Sequence, residues 1–132
     1  MSNIFVYTAD QEYPPAWAHL LKERGYRVDI DRGAGRPARD CDLVIADLQP
    51  SQPLMMACAA VNRLRASGVN LLVLMPGDWT EQHTQAMELR PRQCAYKPMD
   101  CASVVRLVDM ICSSREHAAM LRDAPALSAG AA

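Results

Sequence analysis

The sequence lacks the marks of several large classes of protein. Its formal net charge is only −1 over 132 residues, so it has no excess of basic charge for binding nucleic acid or an anionic membrane surface. No uninterrupted apolar run approaches the roughly 20 residues that a membrane-spanning helix needs. The N-terminus has no basic segment before its apolar stretch, which predicts a first strand and not a signal peptide. We therefore expect a cytoplasmic protein with neither nucleic acid nor membrane as a partner.

Motifs for metal or nucleotide chemistry are also missing. The five cysteines are odd in number, scattered and without a CxxC pair, which disfavours a disulfide framework or a zinc site and favours free thiols in a reducing compartment. The three histidines lie far apart on different predicted elements, so they do not predict a metal site. No GxxxxGK[ST] or GxGxxG stretch indicates a nucleotide site.

Length and composition favour one globular domain. Half of the residues are hydrophobic, and a chain of this length can bury a substantial core. We predict a single domain over residues 1–122. The remaining residues, 123–132, are small and weakly polar, and we expect them to form a disordered tail.

Short apolar runs alternate with helical patterns along this domain. We predict strands over residues 4–7, 26–30, 43–46, 69–75 and 92–96. Helical patterns follow each of them except the second, where residues 32–40 contain glycines and a proline and can hold hardly more than one helical turn. Alternation of this kind predicts a parallel sheet with helices on both faces.

Two charged residues follow predicted strands. Asp47 ends the third apolar run, and Lys97 comes directly after the fifth. Because functional sites of parallel sheets lie at the carboxyl ends of the strands, we expect both side chains at one edge. A carboxylate and an ammonium placed there are suited to phosphoryl chemistry, but they can equally neutralise each other as a buried pair.

The segments DLVIAD, LLVLM and AYKP, in this order and at strand ends, resemble the response-regulator receiver domain family over residues 3–112. The resemblance implies an α/β, flavodoxin-like, doubly wound five-stranded parallel sheet in the order 2-1-3-4-5, here with a shortened or missing second helix. It implies that Asp47 is the phosphoacceptor and that Lys97 pairs with the phosphoryl group. A histidine kinase or phosphotransfer protein would be the donor, and Mg²⁺ would neutralise the transferring oxygens.

The metal-binding positions depart from the family pattern. Thr8 and Ala9 stand where the family has its pair of acids. Asp10, one position further, and Asp47 are then the candidate Mg²⁺ ligands, because Mg²⁺ takes oxygen ligands and usually one or two carboxylates.

The switch positions depart as well. Met75 stands where the family has a serine or threonine after the fourth strand, and a thioether cannot donate a hydrogen bond. Cys94 stands at the position of the switch aromatic, three residues before Lys97. Tyr96 lies nearby, but we expect it to point to a different face.

These observations leave three hypotheses. The first is a non-enzymatic pseudo-receiver that acts by protein–protein contact, including homodimer formation, through residues 80–112, with switching that is weakened or independent of phosphorylation. The second is a conventional phosphorelay receiver phosphorylated on Asp47. The third is a flavodoxin-like small-molecule binder or enzyme that uses the crevice at the strand tips, which the absence of phosphate-cradling glycines disfavours.

Overall fold

The computed structural model describes residues 2–8, 15–31, 41–66, 68–97 and 99–122. Within these ranges the strands are Asn3–Thr8 (β1), Arg27–Asp31 (β2), Leu43–Asp47 (β3), Asn70–Met75 (β4) and Cys94–Tyr96 (β5). The α-helices are Ala16–Glu23 (α1), Leu54–Arg65 (α2), Glu81–Ala86 (α3) and Cys101–Arg122 (α4). None of these helices combines the length and apolar character that a bilayer crossing requires.

The strands form one sheet in the order β2-β1-β3-β4-β5. Every neighbouring pair in it is parallel. This confirms the predicted α/β fold class and strand order. The predicted loss of a helix between the second and third strands concerns residues 32–40, which lie outside the described residues, as does the predicted tail at 123–132.

Each face of the sheet carries its own core, because alternate residues of a strand point to opposite sides. On one face the strands pack against α1 and α4, through Ile4, Val6, Ile45, Leu72, Leu74, Trp17, Leu21, Val104 and Val108. On the other face they pack against α2, through Phe5, Val44, Ala46, Val73, Met75, Ala57, Val61 and Leu64. Burial on both sides explains why the central strands read as unbroken apolar runs in the sequence.

The last strand is shorter than predicted. We expected residues 92–96 to be extended, but Pro91–Gln93 form a 3-10 turn and β5 begins at Cys94. Proline has no backbone N–H and its φ is held near the helical range, so Pro91 suits the first position of such a turn and not a strand ladder. Because β5 ends at Tyr96, Lys97 directly follows this outer strand of the sheet.

Polar contacts join the helices around this sheet. The Tyr26 hydroxyl and the Arg24 guanidinium both donate to the Asp109 carboxylate, which ties the end of α1 and the start of β2 to α4. Burial raises the pKa of Tyr26, and its hydrogen bond to Asp109 raises it further. On the other face Arg65, at the end of α2, donates to the backbone carbonyl of Met87 just beyond α3.

Candidate functional site at the strand tips

The centre of the candidate site is a close ion pair. Asp47 is the last residue of β3, and Lys97 follows β5. The backbone N–H of Lys97 donates to the Met75 carbonyl at 2.8 Å, which holds the lysine against the tip of β4. From there its Nζ reaches across β4 to within 2.8 Å of Asp47 Oδ1. The structure thus brings the two predicted side chains together, while the roles assigned to them stay predictions.

Lys97 also binds the backbone that follows Asp47. Its Nζ lies 2.6 Å from the Leu48 carbonyl. The Leu48 N–H in turn donates to the Leu74 carbonyl of β4 at 3.1 Å. An ammonium group has three donors, and the described contacts use two of them. Lys97 therefore connects the loop after β5 to the loop after β3, independently of any ligand.

Burial of the Asp47 carboxylate calls for a compensating charge or donor. The side chain of Asp47 is 8% exposed and that of Lys97 is 27% exposed. A carboxylate removed from water to this extent is strongly destabilising unless a cation or several donors compensate it. The Lys97 ammonium compensates Oδ1, and the Gln49 amide lies 3.5 Å from Oδ2, at the outer limit of a hydrogen bond.

The neighbouring tip of β1 carries a hydroxyl where the family pattern has an acid. Thr8 is buried and lies opposite Asp47 in the β1–β3 register. Ala9 and Asp10 lie outside the described residues, so the role of Asp10 as a metal ligand stays a prediction.

The described residues alone do not fit a Mg²⁺ site. Within them no group of three or more histidine, cysteine or acidic side chains is arranged to hold a metal ion. Asp47 is the carboxylate at the tip of β3, and its Oδ1 already accepts from Lys97. Mg²⁺ requires near-octahedral oxygen coordination and gives up its water reluctantly, so one engaged carboxylate is a poor anchor for it.

Met75, at the predicted hydroxyl position, is an apolar core residue. It is fully buried, and its side chain packs in the core on the α2 face of the sheet. Cys94 is half-buried and packs against the same core, and this burial raises the pKa of its thiol. The thiol is therefore kept neutral, and neither side chain offers a strong hydrogen-bond donor to an anion at the strand tips.

The predicted orientation of Tyr96 was wrong. In the β4–β5 register Cys94 lies opposite Val73, and Tyr96 lies opposite Met75. Since Cys94 and Tyr96 are two residues apart in one strand, both belong to the same face of the sheet. The tyrosine is 40% exposed, so an aromatic side chain is available on that face at the edge strand.

A cleft of about 350 Å³ opens beside the ion pair. The sequence interpretation did not identify this cleft. Its walls come from α1, β4, α4 and the loops at the strand tips, which only the tertiary fold brings together. A local signal in the sequence is the pair Pro76 and Gly77, directly after β4. The described residues that line it are Trp17, Pro50, Leu74, Pro76, Gly77, Asp78, Lys97, Met99 and Val104.

The sequence matches no family model and no curated protein. Several solved structures have a fold similar to that of this chain. One is described as a pilus assembly protein (cpaE) from Burkholderia thailandensis, with a TM-score of 0.65 at 18% identity, covering 86% of this chain and 99% of that one. Another is a response regulator receiver domain protein from Clostridium thermocellum, with a TM-score of 0.67 at 13% identity, covering 88% of this chain and 98% of that one.

A third similar structure is the chemotaxis protein CheY4 of Vibrio cholerae, with a TM-score of 0.55 at 15% identity, covering 84% of this chain and 98% of that one. This chain has the response-regulator receiver fold. At these identities the likeness concerns the receiver fold and does not extend to its chemistry. The ion pair at the strand tips and the buried Met75 are the features of this chain that bear on its function.

Proposed function

We propose that this chain is an atypical receiver domain of bacterial two-component or phosphorelay signalling. In this proposal it is a cytoplasmic, non-enzymatic module that acts by protein–protein contact, and its switching is weakened or independent of phosphorylation. The observation that carries the proposal is the combination of a closed Asp47–Lys97 pair with an apolar Met75 at the neighbouring strand end.

The Asp47–Lys97 ion pair, together with Met75, supports a weakened response to phosphorylation. Phosphoryl transfer to a carboxylate needs cationic groups that neutralise the developing charge, and a donor that responds to the new phosphoryl oxygens. Lys97 is already engaged by Asp47 and by the Leu48 carbonyl. The Met75 side chain has no hydrogen to donate, so it cannot form the hydrogen bond to a phosphoryl group that a serine or threonine would form there.

The proposed contact surface is the predicted one, residues 80–112. Among its exposed side chains are Tyr96 on β5 and Met110 on α4, which are 40% and 66% exposed. Tyrosine and methionine are enriched in the cores of protein interfaces relative to the rest of the surface. A partner protein, or a second copy of this chain, is the occupant that we propose.

The direct chemical test is incubation with acetyl phosphate and Mg²⁺, followed by intact-mass spectrometry. We expect little or no added phosphoryl mass. The control is Asp47→Asn, which keeps the shape of the side chain and removes the nucleophile. Stoichiometric phosphorylation of the wild type that disappears in Asp47→Asn would overturn the proposal of weakened phosphorylation.

A conventional phosphorelay receiver is the second candidate, because Asp47 and Lys97, to which the resemblance assigns phosphoryl chemistry, meet at the strand tips. A histidine kinase or phosphotransfer protein would then phosphorylate Asp47, and Asp10 would contribute to Mg²⁺ binding. Asp47→Ala would abolish signalling in cells while leaving the fold intact. A variant that signals like the wild type would exclude this candidate.

Genomic neighbourhood separates the two candidates further. An adjacent histidine kinase gene would favour the conventional receiver. Adjacent pilus assembly genes would favour a contact module, since one of the similar structures carries that description.

A further inference from the structure

We propose that the cleft beside Lys97 is a binding site for a small, uncharged, mainly apolar molecule that carries one carbonyl acceptor. The cleft has a volume of about 350 Å³, which lies at the lower end of the range for small-molecule pockets. It opens at the carboxyl ends of the strands, the usual place for ligands in doubly wound sheets. This proposal concerns a ligand of the unphosphorylated protein, in which Lys97 pairs with Asp47.

The walls of the cleft are apolar and come from separate parts of the fold. Trp17 belongs to α1, Leu74 to β4 and Val104 to α4, and all three are buried core residues. Met99, in the loop before α4, is half-buried and lines the same space. An aromatic ring or short aliphatic body that enters here would bury its surface against these side chains and lose contact with water.

Lys97 gives the cleft its polar anchor. Among the described residues, two donors of its ammonium group bind Asp47 and the Leu48 carbonyl, so one of the three donors can bind a further acceptor. A single carbonyl oxygen on the ligand matches this one remaining donor.

The charges around the cleft select against anions. The positive charge of Lys97 is already balanced by Asp47 at 2.8 Å, and Asp78 adds a carboxylate to the lining. An anionic ligand would therefore meet a lysine that is neutralised and a second carboxylate nearby, without a compensating cation among the described lining residues. This distinguishes the proposed ligand from phosphates, nucleotides and flavin phosphates.

The test uses 2-phenylacetamide as the probe, titrated into the wild-type protein and followed by backbone amide NMR at Gly77 and Met99. We expect saturable shifts with a dissociation constant in about the millimolar range, as is usual for a ligand of this size. Phenylacetate, which has the same body and a negative charge, should bind at least about tenfold more weakly, because like charges near a protein surface repel by more than 1 kcal/mol. Acetamide, which lacks the apolar body, should cause no shift at Gly77 or Met99.

Fluorescence offers a second readout at the same place. The chain has two tryptophans, and Trp79 stacks on His83 and is not among the lining residues. In Trp79→Phe the emission reports on Trp17 alone, and we expect the probe to change it saturably. Met99→Ala should weaken binding by several-fold, whereas Met110→Ala, which removes an exposed methionine of α4 outside the cleft, should leave it unchanged.

The proposal is overturned if 2-phenylacetamide causes no saturable shift in the wild type. Equal or tighter binding of phenylacetate would also overturn it, because the cleft would then select for charge. If Met99→Ala does not fold, the comparison of the acid with its amide in the wild-type protein still decides the outcome.

Discussion

Lys97 and Asp47 form an ion pair that joins the ends of β5 and β3, which are separated by β4. The Lys97 Nζ lies 2.8 Å from Asp47 Oδ1 and 2.6 Å from the carbonyl of the next residue, Leu48. In this geometry the lysine supplies the charge that the buried carboxylate needs and also restrains the loop behind it. The pair therefore contributes to stability in the absence of phosphate or metal.

Removing the lysine alone should be costly. In Lys97→Met the Asp47 carboxylate stays buried without its cation, and we expect a loss of about 3–5 kcal/mol in the free energy of unfolding, measured by urea denaturation at neutral pH. The chain has one other lysine, Lys22, which is exposed on α1. The matched control Lys22→Met should change stability by less than about 1 kcal/mol.

The double variant tests whether the loss in Lys97→Met comes from the unpaired charge or from the changed side-chain shape. Asp47→Asn combined with Lys97→Met removes both charges, and we expect it to recover most of the loss, because replacing a buried pair is far less costly than breaking it. If the single variant lost no more than the Lys22 control, the ion pair would not be a structural requirement.

Met75 should tolerate an apolar substitution far better than the residue that the family pattern calls for. Met75→Thr removes buried apolar volume and places a hydroxyl in the α2-side core, so we expect a loss of about 2–4 kcal/mol. Met75→Leu keeps the volume and should cost less than about 1.5 kcal/mol. Equal thermal denaturation midpoints for the two variants would contradict the assignment of Met75 as a core residue.

The Tyr26–Asp109 contact predicts how stability depends on alkaline pH. Burial and the hydrogen bond to Asp109 raise the pKa of the phenol in the folded state, so folding favours its protonated form. This contribution is complete below the unfolded pKa of about 10. It is lost as the pH rises above that value towards the folded pKa.

Tyr26→Phe should therefore lower stability at neutral pH by about 1 kcal/mol, and the gap between wild type and variant should close as the pH rises above about 10. The control is Tyr96→Phe, at an exposed tyrosine. Urea denaturation of all three proteins at neutral and alkaline pH measures the difference. A gap that widens with pH would contradict a raised pKa of Tyr26 in the folded protein.

The proposed contact surface predicts that dimerisation depends on side chains within residues 80–112 and not on exposed side chains elsewhere. If residues 80–112 form a homodimer interface, Tyr96→Ala should weaken dimerisation by about 2 kcal/mol, which is the size of an interface hot spot. Met55→Ala, at a side chain that is 84% exposed on α2 and outside this surface, should have no effect. Sedimentation equilibrium measures both. A dimer that resists Tyr96→Ala but not Met55→Ala would place the interface elsewhere.

Much of the fold follows from the periodicity of the sequence. Unbroken apolar runs predict central strands buried on both sides. Residues 43–46 and, within the predicted strand 69–75, residues 71–75 are such runs, and the strands are observed as Leu43–Asp47 and Asn70–Met75. The strand order followed from the family resemblance, because periodicity alone does not say which strands are neighbours. The start of β5 was missed because Pro91 opens a 3-10 turn inside a segment that reads as extended.

The site was only partly accessible to sequence reasoning. The strand-end positions of Asp47 and Lys97 predict their proximity, since all parallel strands end at one edge. The bond from Lys97 to Leu48 was not predictable, because its acceptor is a backbone carbonyl that has no signature in the sequence. The Tyr96 error came from counting back from Lys97 instead of comparing it with Cys94 in the same strand.

The most direct test of the central claim is the amide NMR spectrum of the wild-type protein before and after addition of beryllofluoride and Mg²⁺, with Asp47→Asn as the control. Beryllofluoride imitates a phosphoryl group on an aspartate. A strand tip closed by Lys97 and lacking a donor at Met75 predicts no saturable shift at Met75, Cys94 or Tyr96. Saturable shifts at these residues in the wild type, absent from Asp47→Asn, would contradict the account.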